Sequence, residues 1–102
     1  MDLMEPEPDL PSWTFLTNYA HVLIAIDRNP ELRQRDIAHA VGLTVGAVQK
    51  IINELERGGY LSHEKVGRRN RYQINPDLPL RHPLENAHNV GELLESLADS
   101  GS

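Results

Sequence analysis

Apolar residues recur at helical spacing in four stretches of the chain and at strand spacing in one. The cleanest helical stretch is residues 44–58. Val48, Ile52 and Leu55 fall at i, i+4 and i+7 with Ile51 beside them, so one stripe faces a core. Thr44 stands before it as an N-cap, its hydroxyl able to accept from a free amide two or three residues on. Gly58-Gly59 closes it, because glycine takes the left-handed conformation past a helix end at little cost. The other face is small at its start and polar after: Val45, Gly46, Ala47, Gln49, Lys50 and Asn53, with no acid before Glu54.

Residues 13–28 predict an earlier helix, with Thr17 or Thr14 as its cap. Leu16, Ala20, Leu23 and Ile24 form a stripe, and Tyr19, Val22, Ala25 and Ile26 carry apolar character around most of the circumference. Such a helix wants burial on more than one side, under a partner subunit or under Trp13 and the C-terminal segment. Asn29 ends it, since the residue before Pro30 is pushed out of the α region. Residues 32–41 predict a second helix, with Leu32, Ile37, Ala38 and Val41 inward and Arg33, Gln34, Arg35 and His39 outward. Gly42 closes it and Leu43 fills the core before Thr44 starts the next. Two short helices joined through three or four residues with a glycine make the helix-turn-helix pattern.

The period changes over residues 60–75. Residues 60–66 alternate loosely and 71–75 cleanly, with Tyr72 and Ile74 on one face and Gly67-Arg68-Arg69-Asn70 as turn between them. This predicts a β-hairpin whose tip, residues 65–71, holds Lys65, Arg68, Arg69 and Arg71 and no acid. Residues 76–83 are a proline-punctuated connector. Residues 84–98 recover helical spacing through Leu84, Ala87, Val90, Leu94 and Leu97, a short helix that has to dock to be stable. Residues 1–12 carry Asp2, Glu5, Glu7 and Asp9 with three prolines, too little apolar surface to order the chain, and are expected to be a disordered acidic arm.

Charge sharpens this picture. The net charge of −5 argues against a polyanionic partner only if taken whole. Residues 32–75 hold eight basic and four acidic side chains, while the rest holds two basic and eleven acidic, so a middle of +4 lies between ends that total −9. At 102 residues the chain makes one domain with a modest core. No apolar run approaches a membrane span, and the first residues lack a secretory pattern, which leads to the expectation of a cytoplasmic protein. Without cysteine there is no disulfide and no thiolate metal site, and the five histidines (His21, His39, His63, His82, His88) have no partners at ligand spacing. Glu54 and Glu56 point different ways on a helix, and no phosphate loop or serine elbow is present. No enzyme activity, metal or cofactor is expected.

The order helix, helix, turn, helix, β-hairpin, trailing helix is that of a winged helix. The stretches 32–44 and 48–61 and the wing 67–72 resemble the MarR- and ArsR-type winged-helix regulators, and the small stand-alone ones in particular through Thr14-Phe15-Leu16-Thr17-Asn18. The resemblance covers more than half of the chain but not the long dimerisation helices of larger members. The expected fold is therefore α+β, mostly α. It comprises a disordered arm over 1–12, a three-helix helix-turn-helix core with its β-hairpin over 13–75, a connector over 76–83 and a helix over 84–98 that serves as a possible dimerisation element.

The resemblance implies that residues 44–57 lie in the major groove of duplex DNA, and the dimensions agree. A helix about 10–12 Å across fits a groove about 12 Å wide. Lys50 can reach a guanine edge or a phosphate, Gln49 or Asn53 can pair with adenine, and Val45 and Ala47 can touch thymine methyls. Thr44 joins its cap role to phosphate contact, since a helix N-terminus favours anions. Arg68, Arg69 and Arg71 would meet flanking backbone or minor groove, and Arg33, Gln34 and Arg35 complete the candidate DNA-binding set. The expected function is a sequence-specific regulator of transcription, a homodimer through helix 1 and the C-terminal helix. The alternative is a winged-helix adaptor that binds another protein. Such an adaptor would show an acidic or apolar third-helix face and a short neutral wing. The sequence does not tell whether a small-molecule effector exists.

Overall fold

Three helices, a two-stranded hairpin and a short last helix follow one another along residues 10–98, the part of the chain that the computed structural model describes. They are α1 Asn18–Arg28, α2 Gln34–Val41, α3 Val45–Arg57, β1 Leu61–Val66, β2 Arg69–Ile74 and α4 Val90–Ser96. The expected stripes become the core. Val48, Ile51, Ile52 and Leu55 of α3 are buried with Val22, Leu23 and Ile26 of α1, Ile37 and Ala38 of α2, Leu61 and Tyr72 of the hairpin, and Val90 and Leu94 of α4. No polar or charged side chain among the described residues is buried. None of their helices is long and apolar enough to cross a membrane.

α3 is placed by both of its ends. Thr44 Oγ accepts from the Ala47 amide at 3.1 Å. At the other end Gly59 takes φ +86°, the Gly59 amide donates to Glu56 O at 3.1 Å and the Tyr60 amide to Leu55 O at 2.9 Å. These are the paired bonds of a Schellman stop, with Gly59 rather than Gly58 as the left-handed residue. Gly42 at φ +90° turns the chain from α2 to α3.

The first helix is shorter than the 13–28 expected. Neither threonine caps it with its side chain: Thr17 holds the N-cap backbone position only, and Thr14 Oγ donates to Leu16 O at 2.7 Å, a local turn that competes with helix. Trp13 and Phe15 lie before the helix and are exposed. Within α1, Val22, Leu23 and Ile26 are buried where the helix packs on α2, α3, α4 and β2, while Tyr19 stays exposed. α2 also starts late, at Gln34 rather than 32. The Leu32 and Glu31 amides donate to the backbone and side-chain oxygens of Asn29 instead, while Leu32 still packs on the core.

The hairpin is antiparallel with Leu61 opposite Ile74 and Val66 opposite Arg69. Its turn is two residues, Gly67-Arg68, not the four expected. Gly67 at φ +66° supplies the glycine-first turn whose twist matches the strands, so Arg69 and Asn70 are already paired in β2.

The C-terminal helix is the largest correction. It begins at Val90, not at 84. Asn89 caps it in a reciprocal box, its Oδ1 accepting from the Glu92 amide at 2.8 Å and its amide donating to Glu92 Oε1 at 2.7 Å. Residues 81–88 instead form turns between Pro79 and Asn89, which bridge antiparallel; Leu84 is 90 % exposed. The connector is more than a spacer. The Val90 amide donates to Leu78 O, the Gly91 amide to Pro76 O, each at 2.9 Å, and Tyr60 Oη to Pro79 O at 2.6 Å. Of the expected acidic arm, residues 1–9 and with them all four acids lie outside the described residues. Residues 10–12 run without regular structure beside α1 and α2.

Candidate nucleic-acid interface

The core stripe of α3 fixes what its other side presents. With Val48, Ile52 and Leu55 buried, Val45, Gly46, Gln49, Lys50, Asn53 and Arg57 are exposed, and all but Val45 line one shallow concavity together with Glu54. Ala47 is half-buried and Thr44 is exposed while its hydroxyl serves as the cap. Glu54 forms the edge of this surface, accepting the hydroxyl proton of Tyr19 on α1. That carboxylate, with some burial, pushes the Tyr19 phenol above its ordinary value. Glu56 points elsewhere and meets His63 Nδ1 at 2.5 Å, tying the end of α3 to β1.

The hairpin builds a second cluster. Strand alternation puts Tyr72 and Ile74 inward and leaves Arg69 and Arg71 exposed. Lys65, Arg68, Arg69 and Asn70 share a concavity with Arg33 and Gln34 at the start of α2, with Glu31 at its edge. Two bonds hold this juxtaposition: the Tyr72 amide donates to Pro30 O at 2.9 Å, and Gln34 Nε2 to Tyr72 Oη at 3.4 Å. Gln34, offered by the sequence as a contact residue, is thus half-buried and engaged with the wing.

Not all candidates come together. Arg35 is exposed but lines neither concavity. Arg71 is compensated: Glu31 Oε2 lies 3.7 Å from its Nε, and Glu64 is opposite it in the ladder. Among the described residues no acid lies within ion-pair distance of Arg33, Lys50, Arg68 or Arg69. Two residues missing from the sequence-based set join it. Arg57 follows Asn53 by four and Gln49 by eight, a spacing that keeps all three on one side of the helix. Lys65 pairs with Asn70 across the ladder, a register that only the turn length reveals.

Residues 21–62 match the model of a winged helix-turn-helix DNA-binding family, a span that runs from α1 through α3 into β1. By fold the chain is a winged helix similar to solved transcriptional regulators. It superposes on the PcaV transcriptional regulator of Streptomyces coelicolor, a complex with its natural ligand, with a TM-score of 0.52 and 27 % identity over 59 % of this chain and 45 % of that one. A MarR family transcription regulator, SP03579, gives 0.51 at 15 % identity over 80 % of this chain and 48 % of the other. The AntR antimony-specific transcriptional repressor gives 0.50 at 21 % identity over 92 % and 90 %. The chain therefore spans about half the length of the first two and most of the third. No curated protein matches it.

Proposed function

We propose that the protein regulates transcription by reading duplex DNA, with α3 in the major groove and the hairpin on the flanking backbone or minor groove. The observation that carries this reading is the match of residues 21–62 to a DNA-binding winged helix-turn-helix, whose third helix here exposes Gln49, Lys50, Asn53 and Arg57. The chemistry of that face fits. Amide and ammonium groups pair with base edges, and Gly46 at its start lets backbone approach backbone. Lys65, Arg68, Arg69 and Arg33 suit phosphates, where charge matters more than sequence.

The protein acts as a homodimer in this reading, because one winged helix reads few base pairs and a symmetric site doubles the contact. An apolar groove of about 940 Å³ supports it. Phe15, Leu16, Tyr19, Ala20 and Leu23 line one side, and Leu80, Val90 and Leu93 the other. Phe15 at its rim is 92 % exposed, an apolar surface suited to a second copy of the chain. The metal specificity named for AntR does not transfer, since this chain has no cysteine to offer a soft ion.

A mobility-shift titration across salt concentrations tests the reading. The protein is expected to bind duplex DNA with an affinity that falls as salt rises. Replacing Arg68 and Arg69 together by alanine should weaken binding to every sequence and reduce the salt slope by about one to two. An unchanged slope overturns the wing assignment. No binding to any duplex, with capture of a protein partner instead, favours the adaptor.

A further inference from the structure

Glu54 stands between two cations on α3. It follows Lys50 by four residues and precedes Arg57 by three, the spacings at which side chains on a helix surface meet. All three line the same concavity. Among the described ion pairs, however, none joins Glu54 to either cation. The carboxylate is engaged from another helix instead: the Tyr19 hydroxyl donates to Glu54 Oε1.

The core puts Tyr19 in place for this. Val22, Leu23 and Ile26 follow it by three, four and seven residues and are buried, so the phenol stands at the end of the inward stripe of α1. Its hydrogen bond to Glu54 pushes the phenol above its ordinary value, so the hydroxyl keeps its proton at neutral pH and stays a donor. The charge that the α3 face offers depends on this bond. The concavity holds Lys50 and Arg57 against Glu54 as its one acid. A carboxylate released from Tyr19 has both cations within about one helical turn, and pairing with either would neutralise it. A phosphate or a base edge would then have to displace the carboxylate first.

We infer that Tyr19 is a positioning residue for DNA reading: its hydroxyl holds Glu54 at the edge of the α3 face and so leaves Lys50 and Arg57 to DNA. The inference rests on the DNA-reading assignment of α3. It gives α1, which contributes no residue to the proposed DNA-contact set, a hold on the chemistry of α3 through one hydrogen bond.

Tyr19→Phe, Glu54→Gln and the two together, made in the full chain, test this. Both changes keep the shape of the side chain, neither residue is buried, and circular dichroism checks that all four proteins fold alike. The first readout needs no DNA. A water-soluble carbodiimide joins a carboxylate to an amine that it touches, and peptide mapping locates the amide. The Lys50–Glu54 amide is expected to form in Tyr19→Phe at about two- to fivefold the wild-type yield, the worth of an exposed ion pair. Equal yields overturn the inference.

The second readout is affinity for duplex DNA at low salt. Tyr19→Phe should bind about two- to fivefold more weakly than the wild type, for the same reason. With Glu54→Gln already present, Tyr19→Phe should change nothing, because no carboxylate charge is left to release. A loss of equal size in both backgrounds would make Tyr19 a structural residue only, and no loss in either would give it no role. Each of these overturns the inference and leaves the DNA reading standing. Failure of all four proteins to bind any duplex overturns the DNA reading, and the inference with it.

Discussion

Thr44 shows how one side chain joins fold to function. Its hydroxyl takes the Ala47 amide and so fixes where α3 begins, which in turn fixes the angle at which Gln49, Lys50 and Asn53 stand around the helix. Thr44→Ala should cost about 1 kcal/mol, the usual worth of such a cap. In a domain of this size that lowers the melting temperature by about 4–8 °C, read by circular dichroism. A fall below 1 °C would mean that packing alone places the helix. Residues of this kind are legible in sequence because their signal is local: a capping threonine, a stripe at i, i+4 and i+7, a glycine pair at the stop. Arg71 is the opposite case. It reads as one of four cations at a hairpin tip, yet Glu31 and Glu64 stand beside it. Glu31 lies forty positions away in sequence and reaches Arg71 only because the Tyr72 amide bonds to Pro30 O.

At the scale of elements, the three core helices follow their apolar periodicity, and the departures at helix starts come from local bonds made by side chains as well as backbone. Leu84 and Ala87 keep helical spacing with Val90, but the bridge of Pro79 to Asn89 folds residues 81–88 into turns and the Asn89 box starts α4 six residues late. The Asn-x-x-Glu signature of that box was present in the sequence. The bridge was not, because it depends on a strand-like pairing of two single residues. Since α4 has only seven residues, its cap carries much of its order. Asn89→Ala should speed amide exchange of α4 while leaving that of α3 unchanged. Equal exchange in both proteins would show that α4 is held by Val90 and Leu94 alone. The hairpin differs from expectation for a related reason. Turn residues were visible, but whether two or four of them turn depends on Gly67 and on the register it sets, which carries Lys65 into the cluster with Arg33.

The whole molecule combines a basic surface with an apolar one. Glu54 and Arg57 line both the α3 concavity and the apolar groove, so the last turns of α3, the helix proposed to read DNA, form a wall of the proposed dimer contact. Phe15→Glu should leave the monomer fold intact, since the ring is almost wholly exposed, and should shift the protein from dimer to monomer in sedimentation. An unchanged mass would place the dimer contact elsewhere or remove it. The sign of the whole-chain charge misleads here: four of the fifteen acids lie in residues 1–9, away from the block that carries the helix-turn-helix.

Selection of bound sites from a pool of random duplexes tests the central claim most directly. The account predicts enrichment of a two-fold symmetric site, its half-sites about 10 base pairs or a multiple apart, as two copies of α3 in successive major grooves require. A pool that stays random after repeated rounds, with α3 correctly folded, would contradict it.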